Sequence, residues 1–345
     1  MSAVSPERAI GRDDFDAALV PGFRAAVRSV YKALDQAWKE TSSTVLDETG
    51  GFRAGVDLER DCPLCGAPGA QGRPVFTKLG MQIVECPSCA LTYSRNVLRE
   101  EFDRQLYVDS ASQTRYQDLK RNDAYARLEA VKCRYIVQEL GLYRAPPGCF
   151  LDIGPGNGRL LEAAAAAGWD ALGIEANAEF ARAARARGVE ILEGFFPDVL
   201  PGGERFDAIA LLDVIEHLHR PLEMLRLAAS RLAKGGVLVV QVPNVQSLLV
   251  QLEGARNTNF CHGHWSHFNP RTLERLGREA GLEALRIETI ITEIDRIRQH
   301  PHDAVAATAL RVAGVAPPEG FDAAWLHQHG LGYKALAFFG CPASA

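Results

Sequence analysis

Apolar residues recur at spacings of three and four from about Asp13 to Lys39, where Leu19, Phe23, Ala26, Val27, Val30, Leu34 and Trp38 share one face. That periodicity predicts an amphipathic helix with Pro21 near its start, where a proline is tolerated. Its polar face mixes both charge signs, which suits packing on protein better than lying on an anionic bilayer. From Glu40 to Glu59 the period is lost, and Thr41-Ser42-Ser43 and Gly50-Gly51 predict a linker. Helical spacing returns between Leu98 and Leu142, with Tyr107, Tyr116, Tyr125 and Tyr135 among charged residues, until Pro146-Pro147-Gly148 breaks it. Thereafter short apolar runs alternate with helical ones. Strands are predicted at Phe150 to Ile153, Ala171 to Ile174, Val189 to Leu192, Phe206 to Leu212 and Val237 to Val242, and helices at Arg159 to Ala167, Ala178 to Arg187 and Leu222 to Leu232. Such alternation predicts an α/β domain with a parallel sheet, helices on both faces and a ligand at the carboxyl ends of the strands.

Composition narrows the class. The 345 residues, 47% hydrophobic, suffice for one large domain and one or two small ones. Lys plus Arg number 38 against 43 Asp plus Glu, a net charge of -5, so no general basic field would gather nucleic acid. The first residues lack a charged-then-apolar leader pattern, and no apolar run reaches the ~20 residues that span a bilayer. The expectation is a cytoplasmic protein with no membrane association, with a homodimer left open.

Two stretches carry chemistry. Cys62-Pro63-Leu64-Cys65 and Cys86-Pro87-Ser88-Cys89 are two knuckles separated by twenty residues. Doubled spacing of this kind supplies four thiolates to one tetrahedral ion, so Cys62, Cys65, Cys86 and Cys89 predict a closed, structural zinc ribbon, with two disulfides or a redox pair as the competing readings. Val75-Phe76-Thr77 and Met81-Gln82-Ile83-Val84 flank Lys78-Leu79-Gly80 and predict the hairpin that returns the second knuckle to the first. The second stretch is Leu151-Asp152-Ile153-Gly154-Pro155-Gly156-Asn157-Gly158, a buried strand opening into a loop with few side chains. Starting at Gly154 the third dinucleotide glycine is replaced by Arg159, and no lysine of a nucleotide-phosphate loop follows. Glu175, at the end of the second strand, can accept both hydroxyls of a ribose, which points to an adenosine-type cofactor without phosphates.

These residues, with Phe206-Asp207-Ala208-Ile209, Asp213-Val214-Ile215-Glu216-His217-Leu218, Leu232-Ala233-Lys234-Gly235-Gly236 and Val242-Pro243-Asn244, resemble the class I S-adenosylmethionine-dependent methyltransferases. The likeness covers most of residues 145–290 and leans toward the ubiquinone-pathway-like, small-molecule and sugar methyltransferases, some of which carry an N-terminal four-cysteine module. It implies a Rossmann-like seven-stranded sheet with a final antiparallel hairpin, here Leu285 to Ile291 with Gly332 to Phe339. It also implies that Asp152, Gly154 and Gly156 shape the methionine end of the cofactor, Glu175 its ribose, Gly194 and Phe195 its adenine, and that Asp213 borders the site. Phe195 stands where many relatives place an adenine-binding Asp, so stacking and backbone groups would replace that carboxylate.

The implied organisation is an N-terminal helix and linker (1–59), a zinc ribbon (60–97), a helical connector or lid (98–144) and the methyltransferase domain (145–345), with an acceptor-side insertion at 292–330. Tyr107 and Tyr116 are candidates for the lid. The implied reaction moves a methyl group to an O, N or C atom of a small-molecule acceptor, whose proton a nearly neutral base removes. His217 is the favoured base, with His219 beside it. Cys261-His262-Gly263-His264-Trp265-Ser266-His267 is rich in ligand types, but no distant acid is identifiable to complete a metal site; the resemblance places such a segment over the acceptor pocket and so implies that His264 and His267 lie on the acceptor side. Asn269 and Pro270 then open a helix as N-cap and first residue. Two other functions stay open: displacement at another sulfonium carbon, releasing methylthioadenosine, and a partner-binding ribbon attached to a degenerate cofactor domain.

Overall fold

The computed structural model describes residues 9–108, 111–200 and 202–342, without the side chains of residues 106–108 and 111. The first helix starts later than its periodicity suggests: single turns at Arg12–Phe15 and Ala17–Leu19 precede α1 (Phe23–Ser43). Buried Asp16 accepts hydrogen bonds from the Thr292 amide and hydroxyl at 2.7 and 2.6 Å, so contact with the distant end of the chain shapes this segment. Gly22, at φ 77, turns the chain into the helix, leaving Pro21 ahead of it and Leu19 exposed, while Phe23, Val27 and Leu34 are buried.

The expected linker at 40–59 is folded instead. Leu46 bridges to Phe52, and β1 (Asp57–Glu59) pairs antiparallel with β5 (Asn96–Leu98). Val45 and Val56 enter a small core with Met81, Ile83, Val97, Leu98 and Trp265. Because those partners lie far along the chain, local periodicity gave no sign of them.

The ribbon hairpin forms as predicted, with β2 (Arg73–Lys78) and β3 (Met81–Glu85) joined through Leu79 and Gly80, and β4 (Thr92–Ser94) pairing with β3. A Cβ on Gly80 would meet the Phe52 backbone nitrogen at 2.8 Å, so the turn needs glycine for space as well as for its φ of 76. The connector is helical, as α2 (Glu100–Val108), α3 (Ala111–Arg121) and α4 (Asp123–Leu140).

The main domain continues as β6 (Cys149–Ile153), α5 (Arg159–Ala166), β7 (Asp170–Glu175), α6 (Ala178–Arg185), β8 (Glu190–Glu193), β9 (Phe206–Leu212), α7 (Pro221–Ser230) and β10 (Leu232–Pro243). Next come α8 (Leu248–Glu253), β11 (Ser266–His267), α9 (Pro270–Glu279) and β12 (Glu283–Ile290), then α10 (Ile294–Ile297), α11 (His302–Ala313), α12 (Ala323–Gln328) and β13 (Lys334–Gly340). The seven-stranded sheet has the order β12-β13-β10-β9-β6-β7-β8. Strands β6 to β10 run parallel, and β13 lies antiparallel between β10 and β12, which is the expected final hairpin. Strand order reverses between β6 and β9, so the loops after these two strands face each other across the crevice where such sheets bind ligands.

One strand departs from the expected domain division. β11, inside the histidine-rich loop, pairs antiparallel with β4, so the ribbon sheet reads β11-β4-β3-β2. The main domain thereby contributes the edge strand of the cysteine module. The insertion at 292–330 packs mainly into its own core, with Ile294, Ile297, Val305, Ala309, Phe321 and Leu326 against Leu248 and Leu249 of α8. Among the described residues no helix is long and apolar enough to cross a membrane.

Candidate functional site

The glycine loop leaves β6 at Ile153. Gly154, Gly156 and Gly158 all have positive φ (74, 55 and 79), and a Cβ on Gly154 would lie 2.9 Å from Val214 Cγ2 of the loop after β9. Glycine therefore lets the two loops touch. Glu175, ending β7, accepts hydrogen bonds from the Gly156 amide at 2.9 Å and the Asn177 amide at 2.8 Å, leaving further lone pairs toward the crevice. Burial pushes its carboxyl up to about 7 and that of Asp152 up to about 8, with the charge of Glu175 adding to the latter. Asp152 Oδ1 is buried with no hydrogen-bond partner in the protein. An unsatisfied buried acceptor beside a side-chain-poor loop is what a bound amine or hydroxyl would complete.

Beyond β8, Gly194 has φ 142 and Phe195 is exposed, with the Arg104 guanidinium of α2 4.6 Å from its ring centre. The connector thus reaches the rim of the crevice. Tyr116 packs edge-on against Phe180 of α6, and the side chain of Tyr107 lies outside the described residues.

After β9 the chain places Asp213 in a left-handed conformation (φ 55), where Lys334 Nζ lies 2.8 Å from Oδ1 and Gln241 donates to Oδ2 at 2.9 Å. Burial works to raise its pKa, but the Lys334 charge prevails and holds the carboxyl below the usual range. Glu216 is buried, neither of its carboxylate oxygens has a hydrogen-bond partner, and burial pushes its pKa well up. His217 Nδ1 lies 2.8 Å from the Gly263 carbonyl and His264 Nδ1 lies 2.9 Å from the Asn259 carbonyl. Because a carbonyl only accepts, each Nδ1 carries the proton and each Nε2 carries the lone pair. One ligand-type atom each of Glu216, His217 and His264 fall within 4.8 Å of one another, close enough to share a proton or a cation. Burial lowers both imidazole pKa values, keeping the rings neutral with the Nε2 lone pairs unprotonated.

The acid missing from the sequence around the histidine-rich loop is therefore Glu216, brought in from the neighbouring strand end. His267 lies outside this cluster; it sits in β11 with its ring 4.7 Å from that of Phe260, and burial pulls it down to about 3. His262 donates from Nε2 to the Leu79 carbonyl of the ribbon turn at 2.6 Å. His219 Nε2 lies 3.3 Å from Asp103 Oδ2, a partner that no motif marked.

Beside Lys334 a cavity of about 150 Å³ is lined by Tyr31, Tyr125, Lys132, Glu293 and Tyr333, among others. Its walls come from α1, α4 and the edges of the final hairpin. Of the insertion at 292–330 only Glu293 reaches it.

The four cysteines converge at the other end of the histidine loop, all four sulfurs within 4.8 Å of one another and Cys62–Cys89 and Cys65–Cys86 each at 3.5 Å. Four sulfurs at ~2.3 Å from one zinc stand about 3.8 Å apart, so the donor set and its spacing fit that ion. The two knuckles are built alike: Gly66 and Ala90, both left-handed, donate from their amides to the Cys62 and Cys86 carbonyls at 2.9 Å. The sulfur hydrogen bond between Cys62 and Cys89 pulls the Cys62 thiol down to about 5 and pushes that of Cys89 up.

A family model for methyltransferase domains matches residues 125–287. The chain is 31% identical over 157 residues to a ubiquinone biosynthesis O-methyltransferase of Methylococcus capsulatus, covering 41% of this chain. It is 31% identical over 150 residues to the enzyme of that name from Cereibacter sphaeroides, covering 39% of this chain. These alignments span 65% and 59% of the relatives' own lengths. Among solved structures, a Thermotoga maritima methyltransferase described as a possible histamine N-methyltransferase overlaps 70% of this chain and 98% of its own, at 21% identity and a TM-score of 0.46. Matching motifs, sheet order and domain model agree: residues 125–287 carry a methyltransferase domain built on a seven-stranded Rossmann-like sheet, with a four-cysteine cluster ahead of it.

Proposed function

We propose that the protein transfers the methyl group of S-adenosylmethionine to an O, N or C atom of a small-molecule acceptor, a natural-product or sugar-type intermediate. The observation that carries this is the meeting, at one crevice, of a glycine loop, the ribose-type carboxylate Glu175 and a neutral histidine cluster. When bound, S-adenosylmethionine supplies a methyl group on a positive sulfur with a neutral thioether as leaving group. Asp152, Gly154 and Gly156 shape the methionine end, Glu175 accepts from the ribose hydroxyls, and Gly194 and Phe195 flank the adenine. Asp213, held by Lys334, would border the bound cofactor. His217 takes the acceptor's proton at Nε2, and His264 and His267 belong to the acceptor side. In-line displacement asks the chain to hold the acceptor about 3 Å from the methyl carbon and to remove that proton. The tyrosine-lined cavity beside Lys334 suits a compact acceptor.

The four cysteines hold a structural zinc that folds the ribbon and has no open position for chemistry. Because β11 and His262 tie the histidine loop into the ribbon, a ribbon that serves the site is favoured over one that recruits a partner.

Calorimetry tests the cofactor assignment. The parent protein binds S-adenosylmethionine, and Glu175→Ala weakens binding by about 10- to 100-fold, the loss of hydrogen bonds to a charged acceptor. Equal binding by parent and variant, or none by the parent, would refute it. Product analysis should find adenosylhomocysteine; methylthioadenosine would assign the reaction to another sulfonium carbon.

A further inference from the structure

One side chain joins the cysteine module to the histidine loop. Arg60 lies between β1 and Cys62, and the module fixes its backbone: its amide donates to the Arg95 carbonyl at 2.8 Å. Gly69 packs so closely that a Cβ there would lie 2.3 Å from the Arg60 carbonyl oxygen. The guanidinium then leaves the module. Nε donates to the Ser94 carbonyl at 3.0 Å, Nη1 to the His219 carbonyl at 3.1 Å and Nη2 to the Trp265 carbonyl, with the Tyr93 ring centre 5.6 Å away.

The three carbonyls belong to three separate segments: the ribbon strand β4, the loop after β9 and the histidine loop. Among the described residues Arg60 has no ion-pair partner, and its guanidinium is charged at any physiological pH. A charged group whose donors go to three backbone carbonyls and, from Nη2 at 3.4 Å, to the Ser266 hydroxyl of β11 holds geometry, because its rigid fork of donors fixes the directions of all its partners at once.

Both loops that Arg60 grips lead into the candidate base. The Trp265 amide donates to the Glu216 carbonyl at 2.9 Å. Its indole donates to Asp103, the carboxylate that also lies beside His219. Two residues before Trp265, the Gly263 carbonyl accepts the proton that sets the His217 tautomer. A shift of Trp265 therefore moves the acceptor on which the lone pair of His217 Nε2 depends.

We propose that Arg60 is a positioning residue, which through the His219 and Trp265 carbonyls holds the two loops carrying Glu216, His217 and His264 against each other and in register with the cysteine module. This rests on the methyl-transfer assignment only for its kinetic consequence, since the positioning itself is measurable without turnover.

The test compares full-length parent, Arg60→Met and Arg60→Lys by amide hydrogen exchange, ¹⁵N-histidine NMR, metal analysis and calorimetry with adenosylhomocysteine. In Arg60→Met, amides of residues 261–268 should exchange about 10- to 100-fold faster, the loss of charge-assisted hydrogen bonds. The imidazole signals of His217 and His264 should leave the Nδ1-protonated pattern, while metal content and adenosylhomocysteine affinity stay at parental values. Arg60→Lys, able to reach fewer of the three carbonyls, should fall between. Parental exchange and imidazole signals in Arg60→Met would overturn the inference. Loss of metal in both variants would also overturn it, because Arg60 would then serve the fold of the module alone. Failure of adenosylhomocysteine to bind any of the three proteins would count against the methyl-transfer assignment and leave the exchange and imidazole results to decide this one.

Discussion

Replacing His217 by alanine should lower kcat by roughly 100- to 10,000-fold, the usual worth of a positioned general base, while S-adenosylmethionine binds as it does to the parent. The argument rests on the tautomer. Gly263 accepts from Nδ1, so the lone pair sits on Nε2, the nitrogen 4.0 Å from Glu216 Oε1. Burial lowers the pKa of the ring, so the neutral base persists below the usual histidine midpoint of ~6.5, and activity falls only on the acid side of that value. A competing role for His217, holding its loop through the Gly263 contact, is separated by His217→Asn. Asparagine can present a donor near the Nδ1 position but brings no base. If His217→Asn keeps parental kcat while His217→Ala loses it, the residue holds the loop and is not the base. Equal losses in both, with parental melting temperatures, support the base.

The strands of the main domain were legible because parallel strands buried on both faces read as short apolar runs, and β6 to β9 end at or beside a glycine or an acid: Gly154, Glu175, Gly194 and Asp213. Phe206–Leu212 matches residue for residue. The last parallel strand starts earlier than predicted, at Leu232, because an irregularity between Leu232 and Val237 lets a glycine-containing segment extend the pairing. The knuckles were legible for a different reason: metal-ligand spacing is a local constraint written directly into sequence. Local pattern did not reveal several features that contact between distant segments fixes. Segment 40–59 carries no period of its own and is ordered by β5 and Trp265. Arg60 gives no signal because three of its partners are backbone carbonyls, which any residue supplies. Glu216 was visible beside His217, yet its meeting with His264 depends on β11 joining the ribbon sheet, a pairing of only two residues on each strand. Local pattern reveals elements; the site is assembled where elements from the module and the main domain cross.

Removal of the ribbon metal should therefore abolish turnover while sparing the cofactor crevice. The effect expected of Cys62→Ser is large, since structural zinc sites of this kind contribute ~10–16 kcal/mol of apparent binding free energy, most of it expressed as folding of the module. Four sulfurs brought together without an ion would leave thiols crowded against one another, three of them buried beside Leu64, Val84, Leu91 and Tyr93, so loss of the ion strains the point where both knuckles enter the core. Once they open, β4 loses its place, and β11 loses the only strand it pairs with among the described residues. His262 loses the Leu79 carbonyl at the ribbon turn, and Trp265 loses the Ser94 amide that donates to its carbonyl at 2.9 Å. The histidine loop would then be held only by its main-domain contacts, and His217 would lose its fixed tautomer. The crevice side differs, because Glu175 draws its hydrogen bonds from the Gly156 and Asn177 amides of the main domain. Parent protein should contain about one zinc per chain. Cys62→Ser should contain none, show accelerated exchange in residues 60–98 and 261–268 but not in 149–193, bind adenosylhomocysteine like the parent and fail to transfer methyl groups. Parental turnover in metal-free protein would refute the dependence of the histidine loop on the ribbon, and loss of exchange protection in β6 and β7 would show that the module supports the whole domain and not this loop in particular.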